Sequence, residues 1–302
     1  MDKWEFYPKS ANLEPFPGIE QRMEWFGRHA SNLSLQAALG CLENVLPACE
    51  VTHLITVSCT CLSSPGLELE LMDALQLPAS VNRSTVNFMG CYAAVHGLKL
   101  ANDIVLAHPE AKVLMVCTEL CTLHFQKTYS EEAIISPILF GDGCAAALIT
   151  SDNNDSPGVQ LGNFYAEVVK DSKNDMTWRL SSTGFVMTLS GEVPDIFKAD
   201  IAPLKKNALA KAGLDETAIN YWCMHPGGKR ILECIGAGLG LEKNDLRYSY
   251  DILRRYGNMS SPTILFVLNE IWKEHNTDKG AHIFGAAFGP GLTMESMILT
   301  IV

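Results

Sequence analysis

Short apolar segments alternate with amphipathic ones along the chain. From Gly18 to about Pro47, apolar residues recur at three- and four-residue steps, which predicts a helix. Further helices are predicted at 67–75 and 91–105. Buried strands are predicted where apolar residues run together, at 51–58, 84–88, 112–120 and 143–151. This alternation of short strands and helices indicates an α/β layered fold.

The second half of the chain repeats this style. Its predicted strands are 159–169, 184–189, 221–225, 282–288 and 292–302, and its predicted helices are 193–212, 228–239, 245–255 and 259–275. Phe-Gly-Asp-Gly (140–143) and Phe-Gly-Pro-Gly (288–291) each precede an apolar strand. The pair can arise by chance or from duplication. Duplication predicts two α/β units, 1–150 and 151–302, joined by the polar segment 151–158.

Composition excludes several classes of protein. Hydrophobic residues make up 47% of the 302-residue chain and charged residues 19%, which excludes a disordered chain. The net charge of −11 repels phosphate backbones, so nucleic acid is not an expected partner. The sequence contains neither a run of about 18 apolar residues nor a secretion signal. We therefore expect a cytoplasmic protein without a membrane span.

The chain has ten cysteines, most of them inside apolar segments. A disulfide framework is not expected in a chain of this length without a secretion signal. Free cysteine in such segments behaves as a small buried hydrophobe. Cys59 and Cys61 are too few for a zinc site without partner ligands, so no metal is expected.

Three polar residues occupy positions that suit chemistry. Cys91 follows a strand and a glycine at the start of a helix, where the helix dipole stabilises a thiolate. His225 ends a strand and precedes Pro-Gly-Gly, and Asn258 follows Gly257 before an apolar helix. Taken singly, each has a plain structural explanation as a buried thiol, a packed histidine or a helix N-cap.

Taken together, the motifs around these residues resemble the chalcone and stilbene synthase family. They are GCY at Cys91, LFGDGCAAALI at 139–149, HPGG at His225, GNMSS at Asn258 and GPGLTMES at 289–296. The resemblance runs in order from about residue 20 to the C-terminus. HPGG, GNMSS and GPGL favour this family over the related ketoacyl synthase III enzymes.

The resemblance implies a thiolase-like fold with two similar α/β halves in a layered αβαβα arrangement, working as a homodimer. It implies a type III polyketide synthase whose substrates are acyl-coenzyme A (acyl-CoA) and malonyl-CoA, with no metal or redox cofactor. Cys91 would carry the acyl group. His225 and Asn258 would hold the malonyl thioester carbonyl and stabilise the enolate that forms on decarboxylation.

Substrate-binding positions also follow from the resemblance. Thr60, Ser64, Cys121 and Ser260 fall where the family lines its cavity, and Met187 falls where plant enzymes carry a phenylalanine gate. Small residues at these positions resemble bacterial members with a tunnel for long fatty acyl starters. We therefore expect alkylpyrone or alkylresorcinol products.

Two alternatives and one departure remain. The chain could perform a single condensation, as ketoacyl synthase III does, or could be a non-catalytic thiolase-fold partner of another subunit. The family's first strand, with basic residues that grip the CoA phosphates, has no counterpart in this sequence. Either the form is shortened or other groups hold the phosphates, and Lys229 and Arg230 are the candidates.

Overall fold

The computed structural model describes residues 5–128, 138–151 and 157–302. Its helices are α1 (Ile19–Leu42), α2 (Leu67–Leu75), α3 (Ala93–Ala107), α4 (Val193–Ala212), α5 (Lys229–Leu239), α6 (Arg247–Tyr256) and α7 (Thr263–His275). Its strands are β1 (His53–Ser58), β2 (Asn82–Asn87), β3 (Lys112–Leu120), β4 (Asp142–Thr150), β5 (Val159–Val168), β6 (Met176–Ser181), β7 (Gly184–Leu189), β8 (Ile219–Met224), β9 (His282–Gly289) and β10 (Thr293–Ile301). Most of the predicted linker, residues 152–156, lies outside the described residues.

The first sheet has the strand order β2-β1-β3-β4. Strand β1 runs parallel to both neighbours, whereas β4 pairs antiparallel with β3. The central strands β1 and β3 are buried almost throughout, because helices cover both faces of the sheet.

The second sheet has the order β5-β10-β9-β8. Here β8 and β9 are parallel, and β10 is antiparallel to both β9 and β5. The series β8-β9-β10 therefore repeats the directions and order of β1-β3-β4. The first Phe-Gly motif runs into the start of β4, and the second lies between β9 and β10. The division into two duplicated units stays a prediction.

Helices α3 and α7 lie between the two sheets. Alternate side chains of β1, such as Ile55 and Val57, pack with Leu98 of α3 and Ile264 of α7 in one buried cluster. Met297 of β10 reaches the same cluster from the second sheet. This shared core fixes the ends of strands from both sheets relative to one another.

The outer faces of the sheets are covered by separate helices. Leu54 of β1 packs with Ala38 of α1 and Leu71 of α2. Phe284 of β9 packs with helices α4 and α5 on the far side of the second sheet, beside Phe197. The order from one surface to the other is helices, sheet, helices, sheet, helices.

Some predicted boundaries are wrong. Helix α3 begins at Ala93 rather than Cys91, because Cys91 lies in the turn that leads into the helix. Helix α7 begins at Thr263 rather than 259, after Pro262. Strand β6 was not predicted, and it pairs with β7 in a separate two-stranded hairpin. None of the described helices is long and apolar enough to cross a membrane.

Candidate active site

Cys91 lies in a tight turn just before the N-terminus of α3. Gly90 has φ +86°, a conformation that glycine adopts at little cost. A Cβ atom on Gly90 would lie 2.6 Å from Cδ of Pro290, so the glycine also permits the close approach of the 288–291 motif. The Cys91 side chain is buried, with 9% of its surface exposed.

His225 follows the last residue of β8. Its backbone N–H donates to the carbonyl oxygen of Ala286 at 2.8 Å, which extends the pairing of β8 with β9 by one residue. The side chain is buried, and neither ring nitrogen has a hydrogen-bond partner among the described residues. Burial lowers the pKa of His225 to about 3, so its ring is neutral. A neutral imidazole has one N–H to donate and one nitrogen to accept.

Asn258 lies in the connection between α6 and α7 and is fixed by three hydrogen bonds. Its backbone N–H donates to Leu139 O, and its carbonyl accepts from Gly141 N–H, both at 2.9 Å. Its side-chain oxygen accepts from the Ser260 N–H at 2.8 Å. With that oxygen engaged, Nδ2 is left to donate, and it lies 3.9 Å from Sγ of Cys91. The LFGDG segment therefore serves to hold Asn258.

The three residues line one cavity, whose empty volume of about 390 Å³ includes space open to solvent. The rest of its wall is largely apolar, with Met176, Met187 and Leu189 from the β6–β7 hairpin and Phe197 from α4 among the lining residues. Cys91 follows the last residues of the first sheet's strand β2, and His225 follows strand β8 of the second sheet. The site therefore takes residues from both sheets.

Burial opposes charge on Cys91 as well as on His225. It raises the pKa of the Cys91 thiol to about 11, against the lowering effect of hydrogen bonds from Ser260 and Asn258. A thiolate alone or an imidazolium alone is therefore unfavourable here. Transfer of the thiol proton to the imidazole forms both charges together, and each then stabilises the other.

A second polar cluster lies near Cys91, centred on Glu119, and the sequence pattern did not predict it. The buried carboxyl group of Glu119 accepts from the Cys59 N–H at 2.9 Å, from Thr60 Oγ1 at 2.8 Å and from Ser261 Oγ at 2.6 Å. Burial raises the pKa of Glu119. Cys59 Sγ lies 3.2 Å from Ser260 Oγ, which connects this cluster to the catalytic candidates.

The predicted substrate-binding residues are spread around this region. Met187 lines the cavity. Thr60 is fully buried with its hydroxyl turned to Glu119, and Ser260 is buried beside Cys59. Cys121 is half-buried, and Ser64 is exposed. Their roles in substrate binding stay predictions.

The candidates for phosphate binding lie close to the cavity. Lys229 and Arg230 begin α5, between the cavity-lining residues Gly227 and Ile231. Both side chains are exposed, with Lys229 3.8 Å from Glu233 and Arg230 3.6 Å from Asp195. Over the described part of the chain, no three His, Cys, Asp or Glu side chains converge as metal ligands would.

Comparison with known families matches both halves of the chain. The model of the N-terminal domain of chalcone and stilbene synthases matches residues 5–153. The model of the C-terminal domain of the same family matches residues 160–302. Together they cover nearly the whole sequence, in the order that the motifs follow.

Similar proteins occur in bacteria and plants. An alpha-pyrone synthesis polyketide synthase-like protein of Mycobacterium tuberculosis is 32% identical over 291 residues, which are 94% of this chain and 74% of that protein. Type III polyketide synthase A of Arabidopsis thaliana is 33% identical over 304 residues, covering 97% of this chain and 76% of the plant protein.

Solved structures give the same result. PKS-I from the brown alga Ectocarpus siliculosus superposes with a TM-score of 0.94 at 31% identity, over 100% of this chain and 82% of that one. The 1,3,6,8-tetrahydroxynaphthalene synthase of Streptomyces coelicolor gives a TM-score of 0.90 at 27% identity, over 95% of this chain and 82% of that one. The thiolase-like fold expected from the sequence is confirmed.

Proposed function

Because this chain belongs to the chalcone and stilbene synthase family and is an acyltransferase of the type III polyketide synthase kind, we propose that it extends an acyl-CoA starter with malonyl-CoA. The observation that carries the proposal is the convergence of Cys91, His225 and Asn258, from three separate segments, on one cavity. Repeated extension followed by ring closure would give pyrone or resorcinol products.

The first step loads the starter onto Cys91. The Cys91 proton passes to His225, and the thiolate attacks the thioester carbonyl of the acyl-CoA. The CoA thiolate leaves and takes the proton from the imidazolium. Cys91 then carries the acyl group, and His225 is neutral again, in agreement with the direction in which burial shifts its pKa.

The second step uses the neutral imidazole and the Asn258 amide as donors. Both groups donate to the thioester carbonyl oxygen of malonyl-CoA, where negative charge develops as carbon dioxide leaves. The enolate carbon attacks the acyl-Cys91 carbonyl, a carbon–carbon bond forms, and the Cys91 thiolate leaves. Ser260 N–H holds the Asn258 oxygen, so the amide N–H₂ group is oriented before substrate arrives.

Mass spectrometry of the products tests this function. The protein is incubated with malonyl-CoA and with acyl-CoA starters from acetyl to palmitoyl. Pyrones or resorcinols should form, and they should vanish in Cys91→Ala. The matched control is Cys117→Ala, another buried cysteine, which lies in the core between the sheets and should keep the products.

The same product spectrum separates the alternatives. A ketoacyl synthase III-like enzyme would stop at a single β-ketoacyl product. A non-catalytic partner subunit would give no product and no loss of carbon dioxide with any starter. The long fatty acyl starter expected from the small residues at 60, 64 and 121 stays a prediction, and the graded starters test it.

The homodimer implied by the family resemblance belongs to the same proposal. The chain has a mass of 33.1 kDa. Light scattering after size-exclusion chromatography should give twice this mass, and a mass equal to that of one chain would contradict the dimer.

A further inference from the structure

Cys59 is a buried thiol that the proposed reaction does not use. It directly follows strand β1, and its side chain is 4% exposed. Its sulfur lies 3.2 Å from the Ser260 hydroxyl oxygen, and that hydroxyl also contacts the thiol of Cys91. Burial raises the pKa of the Cys59 thiol, and the nearby charges of Glu119 and Cys91 raise it further. The structure therefore places an unused thiol beside the one that is expected to carry the acyl group.

Parallel pairing of β1 and β2 brings the two cysteines to the same end of the first sheet. The Phe88 N–H donates to the carbonyl oxygen of Ser58 at 3.0 Å, so the pairing continues to the end of both strands. Cys59 follows β1 directly, and Cys91 follows β2 after the turn at Gly90. Neighbouring strands are about 4.8 Å apart, and a disulfide joins Cα atoms about 5.5–6 Å apart. A bond between the two sulfur atoms therefore requires the turns to shift, and both strands stay in place.

A carboxyl group lies against the Cys59 sulfur. The thiol donates to Oε1 of Glu119 at 3.3 Å, and the Cys59 N–H and the Ser261 hydroxyl hold that carboxyl group in place. A thiol attacks only after it loses its proton, and a carboxylate within hydrogen-bond reach can accept that proton. Burial raises the pKa of Glu119, which makes its carboxylate a better proton acceptor. Cys59 thus has the nucleophile–base arrangement that thiol chemistry requires.

We propose that Cys59 forms a reversible disulfide with Cys91 when a peroxide oxidises Cys91, and that this bond protects the Cys91 thiol from irreversible oxidation. Cys91 lines a cavity that includes space open to solvent, so a small oxidant such as hydrogen peroxide can reach it. Disulfides that form and break in this way occur even in proteins of reducing compartments. The proposal goes beyond the proposed function, since the disulfide is detected whether or not the chain makes polyketides.

The first step oxidises Cys91 and consumes the peroxide. With its proton on His225, the Cys91 thiolate attacks one oxygen of hydrogen peroxide, so that a sulfur–oxygen bond forms and the oxygen–oxygen bond breaks. The leaving hydroxide takes the proton from the His225 imidazolium and becomes water. Cys91 is then a sulfenic acid, oxidised by two electrons, and the peroxide has been reduced by the same two.

The second step joins the two cysteines. The Cys59 thiol gives its proton to Glu119, and its sulfur attacks the sulfenic sulfur of Cys91, so that a disulfide forms and the sulfur–oxygen bond breaks. Hydroxide leaves and takes the proton from Glu119, which gives water and restores the carboxylate. A dithiol reverses the bond by thiol–disulfide exchange. Without a partner thiol, a second peroxide oxidises the sulfenic acid to a sulfinic acid, which thiols do not reduce.

Peptide mapping of the full chain tests the disulfide directly. The reduced protein is treated with hydrogen peroxide, its free thiols are blocked with iodoacetamide, and it is digested with trypsin without reductant. Arg83 separates Cys59 from Cys91, so trypsin releases the two cysteines on different peptides unless a disulfide joins them. The joined pair should be lighter by two hydrogen atoms than the two unblocked peptides together. Fragment ions should assign the bond to Cys59 among the cysteines of its peptide, and dithiothreitol should separate the pair.

Variants connect the disulfide to protection. Cys59→Ser keeps a hydroxyl that can bond to Glu119 but cannot form a disulfide. After peroxide, dithiothreitol should restore most of the condensing activity of wild type, relative to the untreated protein. In Cys59→Ser the restored share should fall by about tenfold or more, and Cys91 should carry two added oxygen atoms as a sulfinic acid. The matched control is Cys117→Ala, which removes a thiol from the core between the sheets and should behave as wild type does.

The outcomes separate this proposal from the proposed function. Sulfinic or unmodified Cys91 in wild type without the joined peptides, a disulfide from Cys91 to Cys121, or equal recovery in wild type and Cys59→Ser overturns the role of Cys59. Circular dichroism confirms folding, and Cys59→Ala decides the comparison if Cys59→Ser does not fold. A chain without condensing activity overturns the proposed function alone, because the joined peptides and the sulfinic acid are measured by mass.

Discussion

The cavity has two walls of opposite character. The reactive wall consists of Cys91, His225 and Asn258, which are buried and polar. Backbone hydrogen bonds hold His225 to Ala286 of β9 and Asn258 to Leu139 and Gly141. The hairpin wall consists of Met176, Met187 and Leu189, which are apolar and come from a two-stranded hairpin outside both sheets.

This difference separates chemistry from selection of substrate. The segments that hold the reactive-wall residues pack into the core between the sheets, so a substitution there affects catalysis or folding directly. Hairpin-wall side chains are apolar and would contact a ligand through dispersion, so a substitution there alters the shape and size of the cavity. The predictions that follow test whether this division holds.

The largest effect is expected on the reactive wall. Asn258→Ala removes one of two donors to the malonyl carbonyl, and product formation should fall by about 10²–10³-fold. Loading of the starter onto Cys91 should continue, since it does not use that donor. Release of carbon dioxide and acylation of the protein are measured in parallel. Asn207→Ala on α4 is the control, and equal losses in both variants would contradict the assigned role.

Gly90→Ala tests the turn that presents Cys91. The φ of +86° and the 2.6 Å approach of Pro290 Cδ leave no room for a methyl group. The free energy of unfolding should fall by at least about 2 kcal/mol. The matched control is Gly27→Ala in α1, where a Cβ would meet nothing within 4 Å. That change should stabilise the protein by about 0.5–1 kcal/mol, and urea unfolding that shows the same sign for both contradicts the account.

Acid should weaken the contact between His124 and the β6–β7 hairpin. Burial lowers the pKa of His124 to about 4, below its ordinary value, so the unfolded chain binds a proton more readily than the folded one. The contribution of neutral His124 to the free energy of unfolding is complete above the unfolded pKa of about 6.5 and is lost as the pH falls toward 4. At pH 5 the loss should be about 2 kcal/mol from His124.

Burial lowers the pKa of His225 as well, so both histidines make the free energy of unfolding fall more steeply as the pH is lowered. Protonation of His124 Nδ1 would also break its hydrogen bond from the Phe185 N–H. Urea unfolding at pH 7 and pH 5 measures the slope. His124→Asn should remove about half of the combined effect of the two histidines. A slope equal to that of wild type would show that His124 is not the titrating group.

The smallest effect is expected from Met187→Leu on the hairpin wall. The two side chains have similar volumes, so stability should change by less than about 1.5 kcal/mol and turnover by less than about tenfold. Steady-state rates with one starter are sufficient to measure this. A loss as large as that of Asn258→Ala would end the distinction between the two walls.

The sequence predicted the reactive wall because its residues lie at the ends of strongly patterned elements. Cys91, His225 and Asn258 each accompany a glycine, and their motifs resemble one family. The apolar runs also located nine of the ten strands found among the described residues, with β6 as the exception. Each of these features depends on residues that are close together in the sequence, so the sequence pattern alone can predict it.

Features that depend on register were not predictable in this way. Glu119 is the penultimate residue of an apolar strand, and it contacts Cys59 only because β3 pairs in parallel with β1. Strand β6 has the sequence Met-Thr-Trp-Arg-Leu-Ser, which alternates apolar and polar residues as a half-buried strand does, so the sequence pattern does carry a signal for it. The long acyl starter was predicted from Thr60, Ser64 and Cys121, none of which is among the residues that line the cavity.

The most direct test of the central claim is to find which cysteine carries the acyl group. The protein is incubated with hexanoyl-CoA alone, digested, and mapped by mass spectrometry. The account predicts a hexanoyl mass increment on the peptide that contains Cys91, and its absence in Cys91→Ala. A hexanoyl group on Cys59 or Cys121 with Cys91 unmodified, or no acylated peptide at all, would contradict it.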